Sequence, residues 1–439
     1  MQESRINRRH FIMSTALLAA GCAKGPRHAP RPISPNDKLN VAGIGVGGKG
    51  SVDIGEICKG NNVIALCDVD DRQARGTFKK FPDARTYRDF RVMLEKEYNN
   101  IDAVHVSTPD NVHAVAAMAC MELGKHVYVQ KPLTHDIYEA RELMKAARRY
   151  KVATQMGNQG HASMGLWMVT DWIRNGAIGP VREVHCFTDR PGHFWTQPAP
   201  HPTETPPVPD TLSWDLWLGP APVRPYHPCY LPDEWRGWWD FGCGALGDMG
   251  CHIMDPPYTA LNLGYPTAVE AETSGHNGET YPAWSVVRYE FPARGDMPPC
   301  TLTWYDGGKM PARPEGLPDD VTLGDGGTNG TLFIGDDAML TCGCYGDSAR
   351  VIPYKKVETS VEPPELVGHY EQWVNACKGG PPAGGNFDYA APFSEMVLLG
   401  NLAIRVGKRI EYDAESLNVT NCPEANQYIR REYRKGWRL

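Results

Sequence analysis

Short apolar runs rich in β-branched residues alternate with segments of helical periodicity over residues 38–157. The runs read KLNVAGIGV, NVIALCDVD, IDAVHVSTP, KHVYVQKP and KVATQMG. Intervening segments such as DNVHAVAAMACMELG and HDIYEARELMKAARRY repeat their apolar residues every three or four positions, as the buried face of a helix does. Strand and helix in regular alternation predict a doubly wound parallel sheet.

The pattern changes after Gly160. A helix is predicted from Met164 to Asn175, and the later runs VREVHCF, AVEAETS, WSVVRYEF and CTLTWYD alternate apolar and polar residues with period two. No helical segments separate these later runs, so we expect an open, largely antiparallel sheet. The sequence thus predicts an α/β protein: a Rossmann doubly wound sheet in 38–160, followed by an α+β domain in 161–439. A chain of 439 residues is long enough for both cores.

The first predicted strand runs directly into GVGGKG, which places Gly45, Gly47 and Gly50 in G-x-G-x-x-G register. Glycines at such a turn let the backbone approach a pyrophosphate, whose charge then lies on a helix N-terminus. Asp68 ends the second strand, where a carboxylate accepts the ribose hydroxyls of the adenosine half. Two further acids follow and would repel a 2′-phosphate. The sequence therefore predicts NAD as the cofactor and disfavours NADP. Arg72 is the one residue that favours NADP.

Lys131 lies at the carboxyl end of another predicted strand and precedes a proline. Ligands of open parallel sheets bind at this edge, so a lysine here is poorly placed to be only a solvated surface charge. We expect the cofactor site to extend along the same edge. The predicted cofactor-binding residues there are Thr108, Pro109, His113, Gln130, Lys131 and Asn158.

The segment GALGDMGCHIMD carries a carboxylate and an imidazole, Asp248 and His252, four residues apart. On a helix this spacing puts both side chains on one face, about one turn apart. Such a pair can hold a hydroxyl, with the histidine accepting its proton and the acid fixing its orientation. The pair alone is equally typical of a helix cap, with Asp248 as the N-terminal acid.

Residues 190–240 form a long irregular stretch dense in proline, tryptophan and histidine. A loop of this length is usually functional, and indoles beside polar groups suit stacking against sugar rings. The alternative is that these tryptophans only pin the loop to the core. The predicted substrate contacts are Tyr226, Trp238, Trp239 and, from GNQGH after the sixth strand, His161.

The N-terminus has the layout of an export signal. Arg8 and Arg9 precede a short apolar run that ends in LAAGC, which predicts a twin-arginine signal in 1–22 and makes Cys22 a candidate for lipid attachment. The alternative is a mildly amphipathic tail. Residues 23–37 are rich in proline and basic residues and predict an extended tether. We therefore expect a periplasmic or cell-envelope protein, held to a membrane only through a lipid on Cys22.

Composition narrows the remaining classes of function. The net charge of −7 offers no basic surplus for a phosphate backbone, so no nucleic-acid partner is expected. Cysteine is plentiful at 13, but Cys58, Cys67, Cys120 and Cys186 lie in apolar patterns, where a thiol acts as a small hydrophobe. The cysteines lack the paired C-x-x-C spacing of a zinc site, so no metal is predicted.

Three of these features together resemble the Gfo/Idh/MocA family of sugar and polyol oxidoreductases: GVGGKG, the KP at Lys131, and a D-x-G-x-H formed by Asp248 and His252. The resemblance runs from about Leu39 to HYEQWVNAC and PFSEMVLLGNLAIRVGK near the C-terminus. It implies that the lysine, aspartate and histidine form a catalytic trio. The family's lysine follows a glutamate, whereas Gln130 stands here, and an amide cannot pair ionically with the lysine or shift its pKa as a carboxylate would.

The resemblance implies oxidation of a carbohydrate ring hydroxyl. His252 takes the hydroxyl proton, Lys131 and Asp248 orient the oxygen, and NAD accepts the hydride. Because free NAD is not expected outside the cytosol, an exported enzyme of this kind must restore its cofactor within the site. A second sugar can be reduced, or transient oxidation can permit elimination at a glycosidic bond followed by water addition, as in NAD-dependent glycosidases of this fold.

Two other readings stay open: a non-catalytic sugar-binding lipoprotein, and a cytosolic dehydrogenase if the N-terminus is not a signal. In each case the ligand is a carbohydrate or glycoside. We also expect a homo-oligomer, because the predicted open sheet leaves a large face uncovered.

Overall fold

A computed structural model of the protein describes residues 29–319 and 321–439, so the predicted signal with Arg8, Arg9 and Cys22 lies outside the described residues. The first half forms a six-stranded sheet. Its strands are β1 (Asn40–Ile44), β2 (Asn62–Cys67), β3 (Arg85–Tyr87), β4 (Ala103–Val106), β5 (His126–Gln130) and β6 (Thr154–Gly157). They are all parallel, in the order β3-β2-β1-β4-β5-β6. The predicted doubly wound sheet is confirmed.

Helices connect these strands, and three of them begin at an aspartate cap. They are α1 (Gly48–Ile57), α2 (Asp71–Lys80), α3 (Phe90–Glu97), α4 (Asp110–Glu122) and α5 (Ile137–Tyr150). The Asp70 carboxylate accepts from the Arg72 backbone N–H at the start of α2, and Asp136 and Glu139 form a capping box at α5. Strands β4 and β5 are buried along their whole length, as expected of a parallel sheet covered on both faces.

The second half forms a nine-stranded sheet. Its strands are β7 (Val181–Phe187), β8 (Ala268–Thr273), β9 (Ser285–Phe291), β10 (Cys300–Tyr305), β11 (Gly330–Gly335), β12 (Met339–Cys342), β13 (Arg350–Ile352), β14 (Ile410–Asp413) and β15 (Asn418–Val419). The order is β13-β12-β11-β7-β10-β9-β8-β14-β15. Only β7 and β10 pair in parallel among them. This confirms the predicted open, largely antiparallel sheet.

One face of this sheet is apolar and covered. In β10, Cys300, Leu302 and Trp304 are buried, and the residues between them are partly exposed. The remaining helices are α6 (Met164–Arg174), α7 (Trp214–Leu218), α8 (Cys251–Ile253), α9 (Asp255–Ala260), α10 (His369–Cys377) and α11 (Phe387–Val406), with 3₁₀ turns at Gln159–Ala162, Pro228–Tyr230, Glu234–Gly237 and Pro423–Tyr428 and a π-helical turn at Leu246–Gly250. Helix α11 contacts β8, β9 and α5, and so joins the two sheets.

The first domain also receives parts from both ends of the described chain. Trp373 of α10 packs into one apolar cluster with Ile54 and Tyr128. The tether predicted for 23–37 has no helix or strand from residue 29 onward, but it is docked: Arg31 donates to both carboxylate oxygens of Asp102, at 2.9 and 2.8 Å. The chain before β1 and helix α10 therefore both pack against the first domain.

The cysteines among the described residues are free thiols. Cys67, Cys120 and Cys186 are buried as expected, whereas Cys58 is partly exposed. In residues 29–319 and 321–439 no three or more His, Cys, Asp or Glu side chains are grouped to hold a metal ion. The same residues contain no helix with the length and apolarity needed to span a membrane.

The junction between α5 and α11 depends on a buried ion pair. Arg141 donates to the two oxygens of Glu395 at 2.8 and 2.6 Å, and the Glu395 side chain is fully buried. Removing the arginine alone would leave a buried charge without a partner. We expect R141A to lower the free energy of unfolding by about 3–5 kcal/mol in urea titrations.

The control is R148A, which removes an exposed arginine of the same helix paired with Asp388. It should cost less than about 1 kcal/mol. Equal losses in the two variants would show that the Glu395 pair has no special role.

Candidate active site

A cleft of about 580 Å³ opens where the first sheet meets the loops of the second domain. Its walls include Gly45, Asp68, Lys131, Asp248 and His252. The glycine turn and the candidate catalytic trio, which are far apart in sequence, therefore share one cavity at the carboxyl ends of the parallel strands. This edge is where open α/β sheets bind ligands.

The glycine turn lets a ligand approach the protein backbone closely. Gly45 has a φ of +73°, and a Cβ on it would lie 2.5 Å from the carbonyl oxygen of Ser107. A Cβ on Gly50 would lie 2.0 Å from the carbonyl oxygen of Gly45, so the helix packs directly on the turn. The Gly47 N–H donates to Asp68 at 3.1 Å. Three glycines of the turn, Gly45, Gly47 and Gly48, line the cleft without side chains, and the turn at the start of α1 fits a dinucleotide pyrophosphate.

The cavity wall beside β2 is acidic. Asp68 and Asp70 both line the cavity, and burial raises the pKa of Asp68 even though three backbone N–H groups donate to its carboxylate. Arg72 does not line the cavity, and its guanidinium lies 3.8 Å from Asp70. This wall suits a ribose 2′-hydroxyl rather than a 2′-phosphate.

Thr108 and Pro109 line the cavity, as does Gln130. His113 does not. Its two ring nitrogens lie 2.8 Å from the carbonyl oxygen of Pro132 and 2.9 Å from that of Thr108. Burial lowers the pKa of His113 to about 4. The structure therefore places His113 behind the cavity wall, with its ring between the carbonyl oxygens of two cavity loops.

Lys131 follows β5 and is joined to Pro132 by a cis peptide bond. Its Nζ donates to Asp248 Oδ1 at 2.9 Å and also to the Asp248 carbonyl oxygen. Arg236 Nε donates to the same carboxylate oxygen at 3.2 Å, and Arg190 Nε lies 3.7 Å from the other. Burial opposes ionisation of Asp248, but Lys131 and Arg236 outweigh it and hold the pKa well below its usual value. The carboxylate is therefore charged and fixed by cations.

The segment that carries Asp248 and His252 is not one regular helix. It begins with the π-helical turn Leu246–Gly250 and continues as the short helix α8. The side chain of Asp248 caps neither element, so the helix-cap interpretation is corrected. A π turn adds a residue to the helical register and re-aims the side chains around it, which is common at functional sites.

His252 is only 6% exposed, and its Nδ1 lies 2.8 Å from the amide oxygen of Asn158. An amide oxygen only accepts, so Nδ1 carries the proton and donates. The Nε2 has no hydrogen-bond partner among the described residues. Burial first, and Lys131 second, hold the pKa of His252 well below its usual value. The imidazole is thus a neutral base with a free acceptor nitrogen, and Asn158 orients it instead of lining the cavity.

The residue before the lysine has a specific partner. Gln130 Nε2 donates to Asp53 Oδ2 at 2.7 Å, and Gln130 Oε1 accepts from the Lys131 N–H at 3.2 Å. The Asp53 side chain, on α1, is fully buried. A glutamate at position 130 would bring a second carboxylate against this one. The amide is therefore the side chain that position 130 requires in this protein.

Asp53 is the centre of a buried polar network. Tyr370 donates to it at 2.7 Å and Ser107 at 3.0 Å, and Lys49 forms an ion pair with it. Burial opposes ionisation, but His105 and Lys49 outweigh it and lower the pKa of Asp53. Lys49 belongs to the glycine turn, so the network links that turn to the Lys131 loop.

The four predicted substrate contacts do not line the cavity. Trp238 is fully buried and Trp239 is 4% exposed, and neither lines the cavity. Tyr226 packs against the same aromatic cluster as Trp238. His161 is paired through Nδ1 with Asp255 at 3.0 Å and also lies outside the cavity wall. These aromatic side chains pin the long loop to the core, which was the alternative interpretation.

The loops contribute cavity residues that no motif signals. Arg190, Arg236 and Tyr345 line the cavity, and the Tyr345 ring stands edge-on to His252 with ring centroids 5.2 Å apart. The two arginines lie within the long loop that was singled out from its composition. Composition singles out this loop but points to its tryptophans, because an ion pair between a loop and a helical turn leaves no pattern in the sequence.

Fold and cavity together define an NAD-binding oxidoreductase architecture. The model of the oxidoreductase family's NAD-binding Rossmann fold matches residues 39–158, and the model of its C-terminal alpha/beta domain matches residues 186–296. The chain belongs to the Gfo/Idh/MocA oxidoreductase family.

Similar proteins include glycosidases. An alpha-N-acetylgalactosaminidase of Shewanella oneidensis is 30% identical over 206 residues, which cover 40% of this chain and 44% of the relative. A glycosyl hydrolase family 109 protein of Shewanella pealeana is 27% identical over 205 residues, with the same two shares. The match thus spans less than half the length of these curated relatives. The structure of the WlbA dehydrogenase from Bordetella pertussis, in complex with NADH and UDP-GlcNAcA, has a TM-score of 0.60 at 17% identity. It covers 86% of this chain and 99% of that one, and shows the same fold.

The pairing of Asp53 with Gln130 is testable by exchanging the two groups. We expect Q130E to lower the free energy of unfolding by about 3 kcal/mol, because it buries two carboxylates together. The double variant D53N/Q130E restores one amide and one carboxylate and should recover at least about 1 kcal/mol. Urea unfolding measures both. A Q130E protein as stable as the wild type would contradict this account of position 130.

Proposed function

We propose that the protein oxidises a carbohydrate ring hydroxyl with tightly held NAD, in a cycle that restores the cofactor within the site. The observation that carries this proposal is the unpartnered Nε2 of a neutral His252 in one cavity with Lys131 and the glycine turn. A hydroxyl can be bound there between a base and a fixed cation, which is what alcohol oxidation requires of the protein.

The chain's own residues manage the proton and the oxygen. His252 Nε2 accepts the hydroxyl proton, because Nδ1 already donates to Asn158. The positive charge of Lys131 stabilises the oxygen as it loses that proton. Asp248 holds the lysine in position through the 2.9 Å contact. Bound NAD supplies the hydride acceptor.

A second candidate, glycoside cleavage, is favoured by the relatives named as family 109 glycosyl hydrolases. Oxidation next to a ring C–H acidifies it, so a base can remove the proton and the glycosidic oxygen can leave. Water then adds to the double bond, and return of the hydride regenerates the hydroxyl. The net reaction is hydrolysis and consumes no cofactor.

Export is part of the same proposal. Arg8, Arg9 and the apolar run after them favour a route that carries folded proteins, and Cys22 is a candidate for lipid attachment. A protein that leaves the cytosol with NAD inside cannot exchange it, which is why the cycle must close in the site. A homo-oligomer formed through the uncovered face of the second sheet completes the proposal.

The first test uses purified protein without added cofactor. We expect denaturation to release NAD, and the native protein to liberate p-nitrophenol from a panel of p-nitrophenyl glycosides. H252A should keep NAD but lose about 10²–10⁴-fold in turnover. H185A, which alters a histidine of β7 outside the cavity wall, should keep both.

Cleavage would support the glycosidase, and NAD without cleavage would direct attention to paired sugar oxidation and reduction. If the bound NAD stays oxidised with every sugar tested, the result would favour the alternative of a non-catalytic sugar-binding lipoprotein. Absence of NAD from the purified protein would contradict the proposed function.

The pH dependence of turnover follows from the state of His252. The base must be neutral, and its pKa is held well below the usual value by burial. The rate should therefore stay level on the acid side through the ordinary histidine pKa of about 6.5 and fall only at lower pH. Measuring kcat against pH checks this, with circular dichroism at each pH to confirm that the protein is folded. A decline centred near pH 6.5 would contradict the assignment.

A further inference from the structure

The end of the cavity beyond β2 is closed by two aromatic side chains. Phe90, the first residue of α3, and Trp437, from residues 429–439, both line it. Their ring centroids are 6.1 Å apart with an interplanar angle of 47°. The guanidinium of Arg91 lies over the Trp437 ring, 4.5 Å from its centroid. The indole is therefore held in a defined place at the cavity wall.

Strand order shows which part of NAD this end receives. Strands β2 and β3 lie on one side of β1, and β4 and β5 lie on the other. Asp68 follows β2 and is the candidate for the adenosine ribose, whereas Lys131 follows β5. The nicotinamide end thus lies toward β5. Phe90 and Trp437, beyond β2 and β3, lie at the adenine end.

Residues 429–439 are anchored before they reach the cavity. Arg431 is paired with Glu139 at 2.7 Å and donates to the carbonyl oxygen of Asn111 at 2.6 Å. The hydroxyl of Tyr433 donates to the same Glu139 at 2.6 Å. These contacts fix the segment to the start of α5, in the first domain.

A second anchor lies closer to the indole. Arg434 is paired with Asp215 at 2.6 Å and donates to the carbonyl oxygen of Gly219 at 2.5 Å. Both partners belong to the long loop of residues 190–240 in the second domain, at and just after α7. The segment therefore bridges the first domain and the loop, and its Trp437 stands across the end of the cleft.

We propose that residues 429–439 form a clamp over the adenine end of the cofactor, with Trp437 as a wall of the adenine site and Arg434 as its anchor. Contact of an aromatic side chain with the adenine base is favourable independently of the contacts that the rest of NAD makes. The clamp slows the release of NAD. Its purpose rests on the proposed redox-closed function, which requires the cofactor to stay bound, but its existence is measurable without any substrate.

The experiment follows exchange of bound NAD against radiolabelled NAD in the purified holoprotein. We expect W437A to exchange at least about 10-fold faster than the wild type, a factor that corresponds to ~1.4 kcal/mol. W437F, which keeps an aromatic ring, should exchange at a rate close to the wild type. R434A keeps the indole but loosens its anchor, and should also exchange faster.

The matched control is R438A, which changes the next residue in the segment. The Arg438 side chain donates to Glu122, at 3.4 Å on the surface, and is neither an anchor of the clamp nor part of the cavity wall. Wild-type exchange in W437A, or equally fast exchange in W437A and R438A, would overturn the clamp. Thermal melting of each variant checks that the protein is folded. If W437A is unfolded, the exchange rate of R434A tests the clamp in its place. Slow exchange in a protein with no turnover would contradict the proposed function and leave the clamp intact.

Discussion

The ion pair between Lys131 and Asp248 joins the two halves of the protein at the point where chemistry is expected. The lysine comes from the end of a parallel strand and the aspartate from the π turn of the second domain, and their side chains meet at 2.9 Å. Both side chains are largely buried, so neither tolerates loss of the other. Two arginines from the long loop complete the shell around the carboxylate. The long loop is therefore held at the cavity by these ion pairs as well as by its buried aromatic side chains.

The same need explains the departure at Gln130. Lys131 obtains its carboxylate from Asp248, across the domain junction, and not from its own neighbour. The buried carboxylate behind the strand is instead Asp53 of α1, which already carries Lys49 and two hydroxyl donors. An amide at 130 bridges that carboxylate and the backbone of the lysine without adding charge. Charge balance is thus preserved over the network even though one residue of the family pattern has changed.

The features predicted correctly from sequence are those with a local cause. Apolar periodicity is a property of neighbouring residues, so both sheets followed from it, and the glycine turn followed from the local spacing of its glycines. The spacing of Asp248 and His252 placed them together, but not the π turn, because a change of helical register has no compositional signature. The burial of Trp238 and Trp239 depends on tertiary packing. An indole beside polar residues in the sequence is equally compatible with stacking on a sugar ring and with packing into the core. Arg190 and Arg236 could not be found, because an ion pair formed between a loop and a helical turn follows no fixed sequence spacing.

Burial also sets the proton balance of the site. His252 is neutral because its burial disfavours a charged ring and Lys131 opposes a second positive charge. Asp248 stays ionised in the same surroundings because cations outnumber it. One environment therefore lowers the pKa of both groups and leaves both without their protons, one as a neutral imidazole and the other as a charged carboxylate. In the proposed cycle, His252 Nε2 would return to the oxygen the proton that it had accepted, because Nδ1 keeps its own proton in the contact with Asn158. Reversible proton storage of this kind is what a cycle that ends with its cofactor unchanged demands of the protein.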